Sequence, residues 1–193
     1  MTDSLDTRMQ LAVHRPGNRE KAFFLVSGIV VSVPLTLFVS NLTDYAQSFV
    51  FGAFFAQLLS SVLIAPVIEE FAKAYPLFYR HGETERSIFT LGFLVGLGFG
   101  ISEFFLYVLL LQAPIPIRLP ALLFHATNAS ITAYGIARKR TLSFYLLAVF
   151  LHLSNNLFAE LGLLWFIGGV AATVASYLIS WRLWRRTSET LLD

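Results

Sequence analysis

Residues 88–112 read IFTLGFLVGLGFGISEFFLYVLLLQ, with one acidic side chain, Glu103, and no basic one in the whole stretch. About 20 helical residues cross a hydrocarbon core of about 30 Å. A run this long and apolar therefore reads as a membrane span, and the carboxylate inside it needs a reason to be there. Five further stretches of comparable character lie on either side, at about Ala22–Leu42, Ser48–Tyr79, Ile115–Ala137, Leu142–Glu160 and Leu161–Trp181. The second of the six spans, Ser48–Tyr79, is too long for one straight crossing. Its Pro66 lacks the N–H that a helix interior needs, so a kink or break is expected near it. The expected fold is all-α: a polytopic bundle of about six spans with a polar leader at 1–21, a membrane domain at 22–181 and a tail at 182–193. The leader and the uncut apolar run behind it do not read as a cleavable signal peptide.

Composition supports this. Of the 193 residues, 56% are hydrophobic and 13% charged, against about 25% charged in a soluble domain. Mean hydropathy is +0.67. So little polar surface cannot cover a water-soluble globule of this size. There is no cysteine, which excludes a disulfide framework, a thiolate metal site and a cysteine nucleophile.

Orientation follows from the basic residues. Twelve of the 14 Lys and Arg fall on one side: Arg8, Arg15, Arg19 and Lys21 in the leader, Arg80 and Arg86 after span two, Arg138, Lys139 and Arg140 after span four, and Arg182, Arg185 and Arg186 in the tail. Arg118 stands alone on the other side, and Lys73 lies within a span. Cytoplasmic loops carry the excess of Lys and Arg, so both termini are expected in the cytoplasm of a multi-pass cell-membrane protein.

Ionisable groups inside a bilayer cost about 3 kcal/mol each on insertion scales. This chain places Glu69, Glu70 and Lys73 on span two, Glu103 on span three, His125 on span four and His152 on span five. At about 1.5 Å per residue from the nearest cytoplasmic basic residue, Glu69, His152 and His125 lie about 16, 18 and 20 Å deep, and Glu103 about 26 Å. Helices of alternating direction thus carry their polar groups to a similar level. His152 and Asn156 stand at i and i+4 and share a face. Glu69 and Glu70 are about 100° apart on a helix, so one can face a site while the other pairs with Lys73. Gly92, Gly96 and Gly100 form a small-residue stripe that admits a closely packed neighbour.

In order along the chain these are Ile68-Glu69-Glu70-Phe71-Ala72-Lys73, Gly96-Leu97-Gly98-Phe99-Gly100-Ile101-Ser102-Glu103, Phe124-His125 and His152-Leu153-Ser154-Asn155-Asn156. Together, over about residues 60–160, they resemble the PrsW family of intramembrane proteases, part of the superfamily of CAAX prenyl endopeptidases and bacteriocin-processing or immunity proteins. The resemblance implies a helical bundle with a cavity open toward the cytoplasm. It implies Glu69 as the base that activates water, supported by Glu70, with Glu103 or His125 as the second group on the water. His152 and Asn156 would donate to the oxyanion. Phe104 stands where many relatives carry Asn. Substrates would be membrane-embedded or lipid-anchored chains within the bilayer, with no role for nucleic acid.

The chemistry is coherent by itself. Amide hydrolysis needs a base for water and donors for the developing oxyanion, and partial removal from water makes a carboxylate a better base. Three rival readings use the same residues. No cofactor is expected in the glutamic-type reading; in another, Glu and His hold Zn²⁺ with an open position, although no His-Glu-x-x-His pair is present. A proton-coupled transporter would employ the same carboxylates, and a silent immunity or binding protein would keep the fold without the reaction.

Overall fold

The computed structural model describes residues 14–79, 84–161 and 165–189, and among them there is no strand. Arg8, most of the polar leader, Arg80 and the last four residues of the tail lie outside the described residues. Among the described residues eight α-helices follow one another: α1 (Asn18–Ser27), α2 (Val33–Phe51), α3 (Ala53–Leu59), α4 (Ala65–Ala74), α5 (Glu85–Phe105), α6 (Ile115–Ala137), α7 (Thr141–Glu160) and α8 (Trp165–Trp184). Wide π turns at Gly28–Ser32, Ser60–Ile64 and Leu106–Leu110 connect α1 to α2, join α3 to α4 and extend α5. By length and composition, Glu85–Leu110 and Thr141–Glu160 are able to cross a membrane.

Two boundaries differ from the sequence expectation. Thr43–Gln47, expected as a connection, is helical within α2. That stretch contains no helix breaker, and the chain turns instead at Gly52, whose φ of +73° costs a glycine little. The break expected near Pro66 takes the form of the π turn at Ser60–Ile64, with Pro66 in the first turn of α4. There the N–H of Ala65 reaches back to Ser60 O. In that wide pattern the carbonyl of Ser61 would await an N–H from residue 66, and proline has none.

Packing centres on α5. A Cβ on Gly96 would run into the backbone of α6 at His125 and Ala126, and one on Gly100 would meet Leu122 Cα at 2.9 Å. One face of α5 therefore lies against α6 at a separation only glycine permits. Another face repeats the device with the first rod: Gly98 meets the Leu25 carbonyl, and Gly28 meets that of Val95. On its far side α6 is joined to α8 by hydroxyl pairs, Thr127–Ser176 at 2.8 Å and Ser130–Ser180 at 2.8 Å, and to α7 by Asn128 Nδ2 donating to Ala148 O at 2.8 Å. At the end where α5 begins, the Glu85 carboxylate binds Arg138 Nε at 2.8 Å and accepts from Ser188 N and Oγ. That carboxylate closes α5, α6 and the tail together.

Candidate active site

Glu69, Glu70 and Lys73 lie on the short helix α4, and the spacing of the three determines which can meet. Lys73 Nζ is 2.6 Å from Glu70 Oε1 and 3.9 Å from Glu69 Oε2. The same ammonium donates to His125 Nδ1 of α6 at 3.0 Å and stands 4.4 Å from the centre of the Phe99 ring of α5. Glu70 and Lys73 are wholly enclosed. A buried ion pair persists only when its remaining bonds are well made, and here a second helix and an aromatic face contribute them.

The two histidines are held alike. His125 Nε2 lies 2.5 Å from Glu103 Oε2, while Arg118 binds the other oxygen of Glu103 at 3.1 Å and covers the Tyr107 ring at 3.5 Å. His152 Nδ1 lies 2.8 Å from Glu70 Oε1. An ionised carboxylate only accepts, so each imidazole donates one N–H to a glutamate and turns its other nitrogen inward. For His125 that nitrogen meets Lys73. For His152 it is Nε2, 3.6 Å from Glu69 Oε2. The two rings meet edge to face, 5.3 Å apart.

A cavity of about 250 Å³ opens beside this cluster, walled by Asp44, Ser60, Ser61, Glu69, Glu103 and Tyr107 among others. Glu69 reaches it and Glu70 does not. Oε2 of Glu69 is buried yet has no hydrogen-bond partner within the protein. The structure therefore brings together Glu69, Glu70, Glu103, His125 and His152. Asn156 is placed differently. Its Nδ2 donates to Ser61 O at 2.9 Å, and its Oδ1 accepts from Asn155. The carbonyl that Pro66 leaves without a partner is thus supplied by α7.

The structure adds to three residues what the sequence does not carry. Asp44 falls in the expected connection, and the continuation of α2 brings it to the cavity wall. Arg118, a residue of the opposite side, folds its long side chain back onto Glu103. Lys73 pairs within its own helix and also holds His125. For Arg118 the signal was the 15-residue distance to Glu103 across a single hairpin.

A metal fits part of this arrangement. Glu69, His125 and His152 each offer a donor atom, all within 4.8 Å of one another. Both imidazoles are oriented by carboxylates, as ligating histidines are. The inward nitrogen of His125 is already taken by the Lys73 ammonium, which would have to move for an ion to use it.

The profile of the PrsW family intramembrane metalloproteases matches residues 19–183, most of the chain. Comparison with curated proteins and with solved structures gave no significant match.

Proposed function

Because the chain belongs to the PrsW family of intramembrane metalloproteases, we propose that it is a six-span endopeptidase, both termini cytoplasmic, that hydrolyses membrane-embedded or lipid-anchored chains at the cavity beside Glu69. One observation carries the assignment of the base: Glu69 is the member of the Glu pair that lines the cavity. Glu70 is committed to Lys73 and His152.

In this reading Glu69 takes a proton from water as its oxygen adds to the substrate carbonyl carbon. It returns that proton to the amide nitrogen as the C–N bond breaks. The negative charge on the former carbonyl oxygen falls on the His152 side of Glu69, where the Lys73 ammonium, 3.9 Å from Glu69 Oε2, supplies the opposing positive charge. Glu103 orients His125, and Arg118 balances Glu103. Asn156, read from sequence as an oxyanion donor, has its amide engaged at Ser61, which supports a role in fixing the turn ahead of α4.

A metal-assisted version uses the same groups. Glu69, His125 and His152 would hold a divalent ion, which would polarise water and the scissile carbonyl. Its support is the family description and the closeness of the Glu69, His125 and His152 donor atoms.

The test compares new N-termini in membranes of cells making the wild-type chain or Glu69→Gln. Termini inside or beside transmembrane segments should accompany only the wild type, and identical sets would overturn the peptidase reading. Metal content of the purified chain then separates the versions. Zinc at one per chain, with cleavage lost to a chelator and restored by Zn²⁺, would sink the metal-free mechanism.

A further inference from the structure

A second concavity lies at the opposite end of the bundle from Arg118, where α6 ends, α7 begins and α8 ends. Its volume is about 560 Å³, and its walls are Tyr134, Arg138, Arg140, Phe144, Leu183 and Arg186. Three arginine side chains thus line one space with apolar sides. The carboxylate next to it, Glu85, is already consumed by Arg138 and Ser188. Arg138 also donates to the Arg186 carbonyl at 3.2 Å, which fixes the backbone that presents Arg186. Among the described residues the side chains of Arg140 and Arg186 have neither hydrogen-bond nor ion-pair partners.

The site has a second source of positive potential. Helix α7 starts at Thr141, directly after Arg140, and no side chain caps it. The first N–H groups of a 20-residue helix therefore face the same region, and helix N-termini favour anions. The walls that are not basic, Tyr134, Phe144 and Leu183, are apolar. A basic concavity with apolar walls at the end of a membrane bundle suits a lipid headgroup: phosphate among the arginines, glycerol against the apolar side.

We infer that the concavity between Arg138, Arg140 and Arg186 binds the phosphate headgroup of an anionic phospholipid whose acyl chains lie in the surrounding bilayer. The loop between α6 and α7 and the end of α8 are thereby anchored to one leaflet. The inference needs the bundle to lie in a bilayer but not that it cleaves anything, so its failure leaves the peptidase reading standing.

The test uses the purified full chain in mild detergent and native mass spectrometry with three probes: dioctanoyl phosphatidylglycerol, dioctanoyl phosphatidylcholine and inorganic phosphate. Phosphatidylglycerol should be retained, phosphatidylcholine should not, and millimolar phosphate should neither bind comparably nor displace the lipid. Arg140→Gln with Arg186→Gln should weaken retention by about tenfold or more, since basic groups near a membrane surface each contribute appreciably to anionic-lipid binding. Neither side chain supports the fold, and the far-ultraviolet circular dichroism should be unchanged. Arg182→Gln with Arg185→Gln removes the same charge from residues outside the concavity and should have little effect. Equal loss in this second pair would replace the site by diffuse attraction and overturn the proposal. So would equal retention of phosphatidylcholine, or binding of inorganic phosphate as tight as that of the lipid.

Discussion

The charged cluster around Lys73 and the neutral ladder of Thr127, Asn128, Ser130, Ser176 and Ser180 are both buried between helices, yet they are finished differently. In the ladder each side chain finds a partner on a neighbouring helix or its own backbone. Nothing charged is desolvated, and nothing is left to react. In the cluster three carboxylates, two imidazoles and an ammonium share fewer bonds than they could make, and Glu69 and Glu103 line a cavity. The neutral set holds helices together; the charged set costs stability and retains capacity to act. Polar content alone does not mark a site in a membrane bundle. Open valence beside a space does.

The contrast predicts opposite outcomes for substitution. Glu69→Gln should lower cleavage by roughly 10²–10⁴-fold, the range for loss of a general base, while the unfolding midpoint in detergent stays within error of wild type. Lys73→Met strips the counter-charge from enclosed Glu70 and should destabilise by about 3–5 kcal/mol, read from denaturant titration in mild detergent. Asn156→Ala should cost about 1 kcal/mol by leaving the part-buried Ser61 carbonyl without its donor. The same change in a Pro66→Ala background should cost much less, because alanine restores an N–H to that turn. Additive effects would break the link between Asn156 and Pro66. Ser130→Ala in the neutral ladder should cost only about 0.6 kcal/mol, the mean for interhelical hydrogen bonds in a membrane, and leave cleavage untouched.

Much of this arrangement is legible in the sequence because helices in a bilayer share a ruler. Counting residues from the basic ends brings Glu69, His125 and His152 to nearly one level, and the glycine spacing identifies the face that α5 presents to α6. Glu103, counted deeper, still reaches His125 because α5 and α6 lie so close and both side chains span part of the gap. What is not legible depends on local departures from a regular helix. Asp44 reaches the cavity only because α2 continues to Phe51, which hydropathy does not reveal. The partner of Asn156 depends on a turn whose width cannot be read from residue types, although Pro66 indicates where a carbonyl would lack its donor. The Arg118–Glu103 pair is not legible because a loop arginine ordinarily faces water, whereas this long side chain returns to a carboxylate within the bundle.

The π turn at Ser60–Ile64 makes chain length part of the chemistry. Each residue turns an α-helix by about 100°, and a π turn accommodates one residue more than the α-helical turn it replaces. Removing a single residue between Ser60 and Ile64 would let α3 and α4 fuse into one regular helix. Everything below would then rotate by about that angle. Glu69 would swing off the cavity wall and Lys73 away from His125, with no site residue altered. The segment acts as a spacer set to an integer, so insertions and deletions there should be less tolerated than most substitutions at the same positions.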